Sequence, residues 1–360
     1  MKKVLIFSYS YFPHVGGAEI AIKEITDRIS ECQFDLITFN LGNEAKTERV
    51  GNVNVYRISA SSKYFFPFKS FLMGVSLCRQ HTYDSVWSMM ANTGFMSLGL
   101  KILFPKINYI LTIQEGDPIP QIKRRVWFVY PIYKMVFSWA DKVTVISSYL
   151  ADFAKSMGAR TIEVVPNGVD LDKFKVKSGK VEEIDKTKKI VLVTTGRLVK
   201  KNAVEDVIKA LKFLPDNIIF RSIGSGEEEQ SLKKLTKNLD LEGRVQFLPY
   251  ANHEKMVEIL RDADIFIRPS LSEGLGISFL EAMAVGLPVI ATNVGGIPDF
   301  LKDGTTGLFC GVNDPESIAL KIKQLLDDPI LYEKVSKNGQ VLIKEKYDWN
   351  QIASHFLRLF

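Results

Sequence analysis

Short apolar runs alternate along this chain with longer stretches in which apolar positions recur every three or four residues. The first pattern reads as buried strands and the second as amphipathic helices. Strands are predicted at Val4–Ser8, Phe34–Asn40, Val53–Ile58, Ser85–Met90, Ile107–Ile113, Lys142–Ile146 and Thr161–Val165, with a polar loop between the second and third. Further on they fall at Ile190–Thr194, Ile218–Ile223, Val245–Leu248, Ala263–Pro269 and Leu287–Thr292. Helices are predicted between them, with apolar positions at Ile20, Ile22, Ile25 and Ile29, over Phe95–Phe104, near Tyr149–Met157 and up to Leu211. Strands alternating with helices indicate an α/β chain. No short-period repeat is present; the two halves only echo one another. Lys173–Lys189 is charged and poor in apolar residues, as an exposed connection would be. The boundary placed there gives domains 1–168 and 169–346, followed by an amphipathic segment, 347–360.

One stretch, Ser270 to Ala284, organises the rest. The strand before it stops at Pro269, Gly274 and Gly276 follow, and a helical run then ends at Gly286 with Pro288 just beyond. Glycine and proline in those places are helix stop signals. A junction of strand, loop and helix leaves the first N–H groups of the helix unpaired. With the macrodipole they make a site for an anion, most often a phosphate. Gly274 and Gly276 lack Cβ atoms, so a ligand can approach the backbone of Gly274, Leu275, Gly276, Ile277 and Ser278. Glu273 precedes the helix, and Glu281 lies about one turn inside with its Cβ tilted back toward the helix start. Two carboxylates then flank a cationic pocket and suit sugar hydroxyls; the alternative is two solvated glutamates beside an ordinary turn. Val4–Ser8, Gly16-Gly17 and the following helix form a second anion-ready junction. No G-x-G-x-x-G follows that strand, which argues against a dinucleotide fingerprint.

Glu273 and Glu281, as Glu-x7-Glu inside SEGLGISFLEAMAVGLPVIAT, together with the continuation NVGGIPDFLKDGTTGLF, resemble the signature of the retaining GT-B glycosyltransferases, the glycosyl transferases group 1 family. The resemblance implies an α/β GT-B fold: two Rossmann-like domains, a cleft between them, and a final helix packed back on the first. It implies a nucleotide-diphosphate sugar held mainly by the second domain, with no metal and no further cofactor. Gly16 and Gly17 would face the donor phosphates, Glu281 the ribose, and Glu273 the sugar. The family also places an arginine and then a lysine on the diphosphate. Arg197 matches; the usual Lys-Gly falls on Asn202-Ala203, so Lys201 is the substitute, with Lys200 in reserve. Pro166-Asn167-Gly168-Val169-Asp170 resembles the family turn near the interdomain link, and Pro249-Tyr250-Ala251 its loop near the nucleobase. Many members carry a histidine where this chain has Gln114-Glu115. Glu115 and Asp117 are therefore candidate acceptor contacts, or Asp117-Pro118 is simply a turn.

Composition narrows the reading. A chain of 360 residues is ample for two cores, and 46% hydrophobic with 24% charged residues reads as globular. A net charge of +6 fits an anionic substrate or a membrane surface and lacks the concentrated basic character of a nucleic-acid binder. Cys32, Cys78 and Cys310 are odd in number and lie far apart, so a reducing cytoplasm is expected. Neither a signal peptide nor a spanning apolar run is expected. Lys63–Leu72 and Lys123–Trp139 mix aromatic and basic residues. They read as packed helices or as peripheral contacts with the inner face of an anionic membrane. Asp262-Ala263-Asp264 mimics a metal-binding Asp-x-Asp, yet it precedes a strand and reads as helix-end and turn residues. The expected activity is transfer from a nucleotide sugar, such as a UDP-sugar, to a glycan or lipid-linked acceptor in surface polysaccharide or glycoconjugate synthesis. Alternatives are a nucleotide-sugar epimerase of the same fold and a non-catalytic carbohydrate-binding protein.

Overall fold

The computed structural model describes residues 1–42, 44–59, 65–174, 188–249, 251 and 253–360. Most of the expected connection, together with Lys63, Tyr64 and Tyr250, lies outside the described residues. The chain divides into two compact units, Met1–Asn167 with Trp349–Phe360, and Gly168–Asp348.

In the first unit, β1 (Lys2–Phe7), β2 (Cys32–Phe39), β3 (Thr47–Val50), β4 (Val53–Ile58), β5 (Ser85–Met89), β6 (Asn108–Ile113), β7 (Lys142–Val145) and β8 (Ile162–Val164) form one sheet. Its order is β3-β4-β2-β1-β5-β6-β7-β8. The segment predicted as a polar loop contains β3, which pairs antiparallel with β4 across Gly51. An edge strand with one open face tolerates Thr47, Glu48 and Arg49, and those polar residues hid it. The helices are α1 (Gly17–Asp27), α2 (Phe66–Gln80), α3 (Gly94–Leu103), α4 (Ile119–Arg125), α5 (Tyr130–Ser138) and α6 (Ser148–Ser156). On one face of the sheet, α1 packs beside the C-terminal helix Trp349–Leu359, whose Trp349, Ile352 and Phe356 join a core with Val4, Phe34 and Trp87. On the other, α2, α3 and α5 lie side by side. Small residues allow that layer to close up: a Cβ on Gly74 would come within 2.9 Å of the Phe7 ring, and one on Gly99 within 2.6 Å of Phe71.

In the second unit, β9 (Ile190–Thr195), β10 (Ile218–Ile223), β11 (Val245–Leu248), β12 (Ile265–Arg268), β13 (Val289–Thr292) and β14 (Leu308–Cys310) form a sheet in the order β11-β10-β9-β12-β13-β14. Every pairing in it is parallel. The helices are α7 (Val204–Ala210), α8 (Glu229–Asn238), α9 (His253–Arg261), α10 (Ile277–Ala284), α11 (Ile297–Phe300), α12 (Pro315–Asp327) and α13 (Pro329–Lys346); Trp349–Leu359 of the first unit is then α14. Asp314 and Asp328 cap α12 and α13, each accepting a backbone N–H at 2.9 Å ahead of a proline at the first helical position. Leu192, Ile208, Phe220, Ile267 and Ile322 belong to the core between sheet and helices.

Each sheet grows outward in both directions from its first strand. In the second unit β10 lies on one side of β9 and β12 on the other, so the order reverses there. Ligands of open α/β sheets gather outside the carboxyl ends of the strands at such a reversal. In this unit the rule selects the loops after β9 and β12; in the first, those after β1 and β5.

Candidate functional site

β12 ends at Arg268, and the chain then loops through Glu273, Gly274 and Leu275 to Gly276, the N-cap of α10. Gly276 has φ of +87°, a left-handed conformation that favours glycine. A Cβ there would also stand 2.7 Å from the Arg268 guanidinium. The first turn of α10 carries no acidic residue and no side chain caps it. Among the described residues, no protein acceptor faces the N–H groups of Gly276, Ile277 and Ser278. Leu275 is buried in the core, so only its backbone faces the loop.

The cation beneath this loop is Arg268, which sequence reasoning passed over as the last residue of an apolar strand. It is 6% exposed. Nη2 donates to Glu273 Oε2 at 2.6 Å, while Nη1 donates to Ser278 Oγ at 2.7 Å and to the Thr195 carbonyl at 3.3 Å. Its Cζ lies 4.2 Å from the centre of the Phe279 ring, which rests against Phe266 and Phe300. One buried guanidinium thus ties the ends of β9 and β12, the glycine loop and the first turn of α10. Burial pulls it below its ordinary pKa, with Glu273 and Glu281 opposing, and arginine stays charged. The only sequence signal was an arginine placed where a buried strand meets a proline.

Glu273 is held on both oxygens, since Oε1 accepts the N–H of Gly274 at 3.0 Å. Gly295 and Gly296, in the loop after β13, press on it from above. The N–H of Gly296 donates to the Glu273 carbonyl at 3.0 Å, and a Cβ on Gly295 would overlap that oxygen. Glu281 is half-buried on α10. Burial raises its carboxyl to about 7, with Arg268 pulling the other way.

The loop after β9 lies against the same arginine: a Cβ on Gly196 would be 3.3 Å from Arg268 Nη1. Arg197 is exposed, and its carbonyl accepts from the Asn202 side chain at 2.6 Å. Lys201 is half-buried, and its carbonyl accepts the N–H of Leu271 at 2.7 Å, joining the two loops. Ala203 has φ of +49°, which explains physically why glycine is usual at that position. The buried hydroxyls of Thr195 and Ser270, at the ends of β9 and β12, have no partner among the described residues. Such deficits are commonly filled by water or ligand.

The structure thus brings Arg197, Lys201, Glu273, Gly274, Gly276, Ile277, Ser278 and Glu281 to one end of one sheet. Gly16, Gly17, Glu115 and Asp117 belong to the first unit. Gly16 donates its N–H to Glu19 Oε2 at 2.8 Å, and Ser10 donates to the other oxygen of that carboxylate, so the N-cap amide of α1 is engaged by its own side chain. Asp117 pairs with Arg125 at 2.8 Å. Gln114 and Asn167 exchange two amide hydrogen bonds of 3.0 Å. Asp264 accepts the Val191 N–H at 2.7 Å and Asp262 follows the end of α9, as turn and helix-end residues do.

Two family models match the chain: Glycosyltransferase Family 4 over residues 15–173 and Glycosyl transferases group 1 over residues 177–341. The GDP-mannose-dependent monoacylated alpha-(1-6)-phosphatidylinositol monomannoside mannosyltransferase of Corynebacterium glutamicum is 32% identical over 382 residues, covering 97% of this chain and 95% of that protein. An uncharacterised glycosyltransferase of Methanocaldococcus jannaschii is 29% identical, with 99% and 98% covered. Sucrose-phosphate synthase from Thermosynechococcus elongatus superposes with a TM-score of 0.85 at 20% identity, covering 100% of this chain and 98% of that one. Anabaena HepE in complex with UDP and glucose gives 0.82 at 17% identity, with 99% of each chain covered.

Proposed function

We propose an activity from one premise: the chain belongs to the glycosyl transferases group 1 family and has the GT-B fold. It transfers a sugar from a nucleoside-diphosphate sugar to a glycan or lipid-linked acceptor, with retention of configuration and without a metal ion. The observation that carries this reading is the uncapped tip of α10 standing over buried Arg268 at the sheet's switch point.

In this mechanism the donor's diphosphate lies on the N–H groups of Gly276, Ile277 and Ser278. Arg197 and Lys201 take the charge that grows on it as the bond to the sugar breaks. Glu281 accepts from the ribose hydroxyls. Glu273, fixed by Arg268 and the Gly274 amide, presents its remaining lone pairs to the sugar hydroxyls. The acceptor hydroxyl attacks the anomeric carbon on the face the diphosphate leaves. The new C–O bond forms, the sugar–phosphate bond breaks, and the hydroxyl proton passes to the departing phosphate oxygen. No carboxylate base is required, in contrast to glycoside hydrolases. The acceptor is assigned to the first unit near Glu115 and Asp117, and a reducing cytoplasm at the inner face of a membrane is the proposed location. The Corynebacterium relative is named for a phosphatidylinositol mannoside acceptor, which supports a lipid-linked substrate in glycoconjugate synthesis.

The test is a screen of UDP-, GDP- and ADP-sugars for melting shifts of the full chain, followed by NMR of the product formed with and without a chelator. A ligand at a hundred times its Kd stabilises by about 2.7 kcal/mol, which a melt resolves. Retained anomeric configuration, insensitive to the chelator, is expected. An inverted product overturns the mechanism, and isomerised donor in the absence of acceptor overturns transfer.

A further inference from the structure

We propose that α2, α3 and α5, with α4 and the 3-10 turn that lead into α5, form a docking surface for an anionic phospholipid membrane. This deepens the reading that the acceptor is lipid-linked, and rests on it for its purpose, though not for its evidence. Residues 65–80, 94–107 and 119–139 carry eight Lys and Arg, Lys123, Arg124, Arg125 and Lys134 among them, and no Asp or Glu. The whole chain has 47 basic and 41 acidic residues, so three such segments without an acid are a marked departure, although Asp84, Glu115 and Asp117 lie between them. With a whole-chain net charge of +6 and +8 in these segments, the remainder carries −2. The net positive charge of the protein resides in these segments.

The same surface exposes its large apolar side chains. Trp127 is 74% exposed and Phe128 69%, both on a single 3-10 turn between α4 and α5. The two rings touch each other edge to face and no other aromatic ring among the described residues. Phe68 on α2, Leu103 on α3 and Ile132 on α5 are exposed as well. The segment divides between the two readings: Tyr133, Val136 and Phe137 of α5 are buried, while Trp127 and Phe128 are turned outward. Lys101 and Arg125 pair with Asp141 and Asp117 just outside these segments, and acids are otherwise absent from them.

Charge of one sign interleaved with protruding aromatics selects the occupant. Basic heads attract anionic headgroups, and each contributes roughly a fivefold gain in partitioning. Trp and Phe side chains suit the boundary between headgroup and acyl chain. No described helix is long and apolar enough to cross a membrane, so the contact is peripheral.

The test is co-sedimentation of the full chain with phosphatidylcholine vesicles and with vesicles of phosphatidylcholine mixed with phosphatidylglycerol. Binding to the mixed vesicles should exceed binding to the neutral ones by tenfold or more at low salt and fall as salt rises. The double variant Trp127→Ala, Phe128→Ala should reduce it about tenfold and the variant Lys123→Glu, Arg124→Glu at least about 25-fold, with the melting shift from UDP or GDP unchanged. Equal binding to both vesicles, or variants that bind like the parent, overturns the proposal. So does a chain that ignores vesicles but self-associates through Trp127 and Phe128 in sedimentation velocity, since the surface then belongs to a second copy. Loss of the nucleotide shift with vesicle binding intact counts against the transferase reading alone.

Discussion

The chain builds the same local device twice, a strand running through glycines into a helix, and fills it differently. At the tip of α1 the Glu19 carboxylate turns back onto the Gly16 N–H and the Ser10 hydroxyl. At the tip of α10 no acid stands in the first turn, and a buried arginine lies underneath. The first junction carries its own anion. The second is left short of one, with a cation already committed to its support. A glycine-rich helix start is therefore no evidence of phosphate binding by itself; whether a carboxylate already faces the N-cap amide separates the two.

The largest expected effect breaks the second junction from below. Replacing Glu273 by Ala leaves the Arg268 charge buried without its partner, which should cost about 3–5 kcal/mol in urea unfolding. Glu273→Ala therefore reports on folding before it reports on sugar recognition. Glu273→Gln keeps a hydrogen-bond acceptor and should retain most of the stability while lowering turnover. Arg197→Ala, exposed and outside that network, should leave stability unchanged and lower kcat roughly a hundredfold, about 2.7 kcal/mol of transition-state stabilisation. A change in KM alone would mean that Arg197 binds ground and transition states equally. Glu19→Ala sharpens the comparison from the other side: it should cost about 1 kcal/mol of stability and leave nucleotide affinity where it was. Tighter nucleotide binding in that variant would show that the α1 tip competes for phosphate.

A change of pH probes the same site. The Glu281 carboxyl is raised in the folded protein to about 7. The folded state then binds the proton more tightly than the unfolded state, so the stabilisation is full below the ordinary carboxylate range and is lost as pH rises through 7. The melting temperature of the parent minus that of Glu281→Gln should fall between pH 5 and pH 8, values about two units below and one above that pKa. A flat difference would contradict the assignment.

What the sequence revealed follows from locality. Gly274, Gly276 and Glu281 lie within one loop and one helix, so period and punctuation disclosed the junction. Arg268 meets partners five and ten residues ahead, Glu273 and Ser278, and that adjacency exists only once the loop folds back. The occupation of the α1 tip was hidden for a similar reason, since Ser10 reaches Glu19 across a loop. Asp314-Pro315 and Asp328-Pro329 were readable starts of α12 and α13 that the pattern analysis left unassigned.

The central claim is that the first amides of α10, held over Arg268, grip a diphosphate. A crystal structure of the full chain with UDP or GDP tests it most directly. The account predicts diphosphate oxygens about 3 Å from the N–H groups of Ile277 and Ser278, with the Arg268–Glu273 pair intact beneath them. A diphosphate seated at Gly16 and Gly17 instead, with the α10 tip filled by water, would contradict it.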